Sequence, residues 1–266
     1  MSAQSIQIAI PLVALLVFLI MAIMIVAFTA LGNRRGARPR VLRRIDAFQS
    51  LPATVGQAVE TGRRLHISLG TGMVGSGDTA ATVAGLTVLD QISAAAAVSD
   101  RPPVVSTSDG TAMLLAQDTL RSVYSRQNAL ARYDAESAQA VGLSPIAYGA
   151  AQTTLASDEA VAGAVLIGSV GSEAVLLAEG GQRAGVTTLA GADSVATQAM
   201  LYATADHPLV GEEVFAGGAY IGGQSRFIAS LTTQDLARIA ITGLIVLGVL
   251  FQTARSLGLL RAFGLS

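Results

Sequence analysis

The chain has 266 residues, 52% of them hydrophobic and only 13% charged, well below the quarter usual in soluble domains. Every basic residue is Arg. The absence of Lys excludes a Walker-type phosphate loop, and the absence of Cys excludes disulfides, thiolate nucleophiles and zinc–thiolate sites. A net charge of −1 conceals an uneven distribution: Arg34, Arg35, Arg38, Arg40, Arg43 and Arg44 cluster together, whereas Ile45 to Asp235 holds eight Arg against all 18 acidic residues, a net of −10. That acidic body excludes nucleic acid as its partner.

Ile6 to Leu31 carries no charge and is long enough to cross a bilayer. It lacks the basic start and the short apolar run of a cleaved signal peptide. The Arg cluster directly after it places residues 33 onward on the cytoplasmic side, with the N-terminus outside. Residues 33–60 read as a basic juxtamembrane linker with a short helix around "VGQAVETGRRL".

From 61 to 234 short apolar runs alternate with helical patterns. The runs are 64–69, 102–108, 138–144, 163–169 and 185–191; the helical segments are 78–99, 111–126, 145–156 and 172–183. The runs are nearly continuous, as strands buried on both faces are. This predicts a Rossmann-like, doubly wound α/β domain with a mostly parallel sheet of about five strands. Residues 194–224 read as further helix, broken at "DHPLVGEE". In 78–99 the spaced stripe Val83, Leu86, Leu89 and Ile92 suits sheet packing, which leaves an Ala- and Gly-rich second surface as a candidate subunit contact. Residues 235–266 hold a second membrane helix and a short tail. Its uncharged run, 239–254, falls short of the ~20 residues a span normally needs, but Arg238 and Arg255 are placed to snorkel. The predicted chain is thus an α/β domain flanked by N- and C-terminal transmembrane helices, 1–32 being the first.

One loop has the spacing of a dinucleotide fingerprint. "GTGMVGSG" (70–77) lies between the first strand and first helix of the domain, in the order G-x-G-x-x-G requires. Gly70, Thr71, Gly72 and Gly75 are therefore the candidate cofactor-binding residues. The acidic partner for a ribose would be Asp109, which lies farther on than the usual ~20 residues; Asp100 precedes the second strand and sits at its wrong end. The loops "STSDGT", "GSVGSE" and "AGADS" would share the same crevice, where Ser, Thr and Asp also serve as ordinary helix N-caps. No catalytic residue is recognisable: "GSVGSE" is not a nucleophile elbow, His207 in "ADHPL" reads as a solvated corner, and His66 as a core histidine. Nothing calls for a metal, and a nucleotide is the one cofactor the loop allows.

"RRLHISLGTG" (63–72), the stretch from Leu86 to Tyr124 and "YATADHPLVGEEVFAGGAYIG" (202–222) resemble an uncharacterised bacterial family, the membrane-anchored domain of unknown function 6754. The resemblance implies a domain that keeps this loop and the "ADHPL" corner, tied to the membrane, and carries over no catalytic residue; the Arg cluster sets the expected location at the bacterial inner membrane, with the α/β domain facing the cytoplasm. The expected function is that of a non-enzymatic structural protein that self-assembles into a large membrane complex, with the lipid bilayer and further copies as partners. The alternatives are a nucleotide- or dinucleotide-binding protein, an oxidoreductase or sensor, and an accessory subunit of a hetero-oligomeric membrane complex.

Overall fold

A computed structural model describes residues 3–32, 42–99, 101–158 and 161–256. Arg34, Arg35, Arg38, Arg40 and Asp100 lie outside them. The described chain divides into an α/β unit within 41–223 and a helical unit formed by the segments on either side.

The α/β unit is built on six strands: β1 (Arg64–Gly70), β2 (Val104–Thr107), β3 (Ala138–Ala140), β4 (Val161–Ser169), β5 (Thr187–Ala192) and β6 (His207–Pro208). They run parallel in the order β3-β2-β1-β4-β5-β6. This is the strand order of a dinucleotide-binding fold, with its reversal between β1 and β4. The sheet has one strand more than expected. β6 consists of two residues, too few to show periodicity, and lies inside the corner that reads as a break between helices. It is held by the Asp206 carboxylate, which accepts from the Thr188 N–H (2.8 Å) and hydroxyl (3.0 Å).

Residues of β1 alternate. Leu65, Ile67 and Leu69 face one side of the sheet while His66 and Ser68 face the other, and all are buried. On the first side pack α2 (Asp46–Thr61), α3 (Thr79–Ala96) and α4 (Gly110–Arg126). On the second lie α5 (Pro145–Asp158), α6 (Ala174–Ala184) and α7 (Val195–Thr204). There Leu166 shares a core cluster with Ala174, Leu177, Ala178 and Leu201. A 3-10 turn and a single-turn helix, α8 (Gly217–Tyr220), close the unit.

Two expectations change. The segment expected as linker contains α2, whose Ala47, Phe48, Leu51, Val55 and Ala58 are buried, so the α/β unit begins well before residue 61. The Ala- and Gly-rich surface of α3 is divided, with Ala80 and Ala95 exposed and the rest turned wholly or partly inward. Ala81 and Gly85 are buried while Val83 is exposed. A Cβ on Gly85 would stand 2.3 Å from the Ile167 carbonyl oxygen, so the small residues serve close approach of the helix to β4.

In the helical unit, α1 (Ala3–Gly32) packs beside α9 (Ser225–Ser256), with the end of α1 at Gly32 next to the start of α9 at Ser225. The two helices therefore run antiparallel. Ala14–Gly32 and Ser225–Leu250 are both long and apolar enough to cross a membrane. The second gains its length because the amphipathic stretch before 239 continues the same helix.

Gly85→Ala is expected to destabilise the protein by ~2 kcal/mol through overpacking against β4. Gly56→Ala, in a helix interior with open space around its Cβ, should stabilise it by up to ~1 kcal/mol. Urea unfolding of the full-length, detergent-solubilised protein reads both, and equal effects at the two sites would refute the packing account.

Candidate functional site

The crevice at the carboxyl ends of β1 and β4 is where an open α/β sheet binds ligands. All the glycine-loop candidates stand at this switch point, and Asp109 follows the end of neighbouring β2. Gly70 has φ +82°, and a Cβ there would lie 2.3 Å from the Ser169 carbonyl oxygen. A Cβ on Gly72 would meet the Ser169 side chain at 2.8 Å and the Thr82 hydroxyl at 2.9 Å. Gly75 has φ +94° and turns the chain into α3. Each glycine is thus required by backbone geometry, whether or not a ligand binds.

The N–H groups of Gly70, Thr71, Gly72 and Gly75 have partners within the chain. Thr71 N–H and Gly72 N–H both donate to the Ser169 carbonyl, at 2.8 and 3.1 Å. Gly70 N–H donates to the Tyr148 hydroxyl at 3.2 Å, and Gly75 N–H to the Thr79 hydroxyl at 2.8 Å. A carboxylate stands in the same place. Glu173, at the N-terminus of α6 and largely buried, accepts from Gly171 N–H (2.9 Å) and from the Thr71 hydroxyl (3.4 Å). A phosphate here would compete with a carbonyl and a carboxylate already satisfying those donors. Asp109 caps α4, its carboxylate accepting from Ala112 N–H at 2.8 Å.

Beneath the loop lies a buried polar layer that sequence reasoning missed. The Tyr148 hydroxyl bonds the Ser68 hydroxyl at 2.7 Å and lies 3.3 Å from the Ser106 carbonyl. The Ser106 hydroxyl donates to Gln152 Oε1 at 3.0 Å and meets His66 Nε2 at 2.8 Å. That direction puts the imidazole proton on Nε2. His66 Nδ1 and Gln152 Nε2 are buried without a hydrogen-bond partner. Burial lowers the His66 pKa to about 4, so the ring is neutral at pH 7. Burial also raises the Tyr148 hydroxyl above the usual tyrosine value, against the opposing hydrogen bonds from Ser68, Ser106 and Gly70. The readable signal was the alternation of His66 and Ser68 with Leu65, Ile67 and Leu69, together with the Tyr148–Gln152 pair one helical turn apart. As chemistry, the layer joins α5 to β1 and β2; the Ser106 hydroxyl stands beside His66 but donates to Gln152, and both side chains are fully buried, so the pair is not presented to a substrate as nucleophile and base.

The other candidates stand apart from this crevice. His207 lies in β6, and Glu213 pairs with Arg43 at 2.6 Å while accepting from Val210 N–H at 3.1 Å. A groove of about 480 Å³ between α2 and α3 is walled by Phe48, Leu51, Val55, Ile92 and Ala95 and bounded by Tyr220. It is apolar, with Glu60 and Gln91 among its few polar members. Among the described residues, no group of three or more His, Asp or Glu is arranged to hold a metal ion.

The sequence profile of the family described as Domain of unknown function (DUF6754) matches residues 4–262, so the family includes the flanking helices as well as the α/β unit. No curated protein and no solved structure shows significant similarity to the chain.

Two outcomes follow from the site. Because the folded-state pKa of His66 lies below the ordinary 6.5, its contribution to stability is complete above pH 6.5 and is lost as pH falls toward 4, amounting to ~3 kcal/mol at most. The stability slope between pH 7 and 5 should flatten in His66→Gln; an unchanged slope would assign it to other groups. Asp109→Ala should cost ~1 kcal/mol and Asp109→Asn much less, the pattern of an N-cap. Equal losses in thermal melts of the two variants would remove the capping account.

Proposed function

We propose that this chain, which belongs to the DUF6754 family along nearly its whole length, is a membrane-anchored structural protein that assembles with copies of itself into a larger membrane complex. One observation carries this reading. The crevice where a fold of this strand order would hold a phosphate is filled by the chain's own Ser169 carbonyl and Glu173 carboxylate. With the N–H groups of Gly70, Thr71, Gly72 and Gly75 engaged within the chain and the Ser106–His66 pair beneath the loop fully buried, the crevice serves as a structural joint.

Antiparallel pairing of α1 and α9, each long and apolar enough to cross a membrane, supports tethering of the α/β unit from one side of a bilayer. The Arg cluster after the first span favours the cytoplasmic side of a bacterial inner membrane. Two tethers also confine each copy to the membrane plane, which raises its effective concentration toward its neighbours. The net −10 of the body leaves nucleic acid out of the partner set.

A second reading rests on the strand order with its glycine-rich turn at the switch point and Asp109 after β2. On that reading the protein is a nucleotide or dinucleotide binder, and the loop opens by exchanging Ser169 and Glu173 for phosphate oxygens. A third, an accessory subunit of a mixed complex, differs from the first only in the identity of the neighbours.

Mass photometry of gently solubilised full-length protein is expected to show a multiple of the chain mass, and thermal melts with NAD, NADP, FAD or ATP no stabilisation. A strict monomer at micromolar concentration would overturn the assembly reading. A nucleotide-dependent rise in melting temperature, lost in Gly72→Glu, would establish the second reading, and unrelated polypeptides held in fixed ratio would establish the third.

A further inference from the structure

The two faces of the α/β unit differ in charge. α2, α3 and α4 carry Asp46, Glu60, Asp90, Asp118, Arg121 and Arg126. On the other face no charged residue occurs between Glu136 and Asp158, which covers nearly all of α5, and α7 has none at all. The ions of α6, Glu179 and Arg183, pair with each other at 3.1 Å. This layer, whose exposed ions are the Glu179–Arg183 pair and Asp193 just before α7, presents large apolar side chains around the first turns of its helices. Leu143 is 91% exposed, Ile146 79% and Val195 79%, with Tyr202 at 70% two turns farther along α7. Exposed Leu176, at the start of α6, packs beside Gly149 and so sits next to the turn that carries Ile146.

We propose that the α5–α6–α7 layer is the surface through which two copies of this chain meet. The proposal deepens the assembly reading and rests on it. Charge selects the occupant. A body of net −10 repels its copies wherever acidic residues face each other, and this layer is where two copies approach at the least electrostatic cost. A basic partner would gain little from so sparsely charged a face. An anionic lipid surface requires clustered Lys or Arg, and Arg183, the only cation of these three helices, is engaged by Glu179. A twofold contact needs a patch that complements itself, and apolar side chains around Ile146 and Val195 fit that requirement on both sides. Exposed apolar side chains grouped in this way are the usual mark of an interaction site.

The absence of native cysteine makes the test direct. Single variants Ile146→Cys, Val195→Cys and Tyr202→Cys of the full-length protein are treated in membranes with a short bismaleimide. Val83→Cys and Leu114→Cys, exposed on the opposite face, serve as controls. The layer positions should give dimer bands several-fold stronger than the controls. Ile146→Asp combined with Val195→Asp should reduce the particle mass and leave the melting temperature unchanged, since both side chains are exposed. A multimeric wild type whose cross-links form only at the control positions would overturn this surface while leaving assembly standing. A monomeric wild type would overturn both.

Discussion

The fold turns on the close approach of β1 and β4. At Gly168 a Cβ would lie 2.0 Å from the Leu69 carbonyl oxygen, and at Gly70 one would lie 2.3 Å from the Ser169 carbonyl oxygen. Side chains at these places would force the two strand ends apart. Their contact lets the Ser169 carbonyl accept two N–H groups of the β1 loop at once. The strand reversal of an open α/β sheet normally leaves a crevice at this point. Here the crevice is closed by the backbone of its own walls, and Glu173 completes the closure by bonding both loops.

The polar layer beneath follows from that contact. Gly70 N–H, directed away from the Ser169 carbonyl, finds the Tyr148 hydroxyl, which in turn binds Ser68. The second row, His66, Ser106 and Gln152, continues it along β1 and β2. Buried hydrogen bonds of this kind fix one register of helix on sheet, because a shifted helix would leave each polar group unpaired. The unpartnered His66 Nδ1 marks where the layer is not fully satisfied. An imidazole in that position is stable only as the neutral ring.

Much of this was legible in the sequence, and the failures have physical causes. β1 and β4 were readable because strands covered on both faces are continuously apolar, and the loop after β1 because backbone that must approach closely or take positive φ calls for glycine. The second half of α2 was readable as a short helix, but its start at Asp46 was hidden by Pro52, which weakens a helix locally and is tolerated because the apolar face is buried against the sheet. β6 was too short to carry a period. The spacing of the loop located the crevice, but the same glycines serve phosphate approach and strand approach alike. What separates the two is the partner of each N–H, and that partner, Ser169, lies nearly a hundred residues away in sequence.

Charge is divided unevenly between the two sides of the sheet. Solubility of an acidic body is easily met by scattering carboxylates over its whole surface. This chain instead leaves α5 and α7 almost without ions, and the acidic residue within α6, Glu179, is paired with Arg183. Helix propensity does not demand this, since charged residues with long side chains form helices as well as the Ala, Thr and Gln found there. Nor does sheet packing, which involves only the buried side of each helix, represented by Tyr148, Gln152, Leu177 and Leu201. Ile146, Val195 and Tyr202 lie exposed on the outer side, where packing among the described residues does not require them to be apolar. The proposed meeting of two copies would cover these side chains and so account for their apolar character.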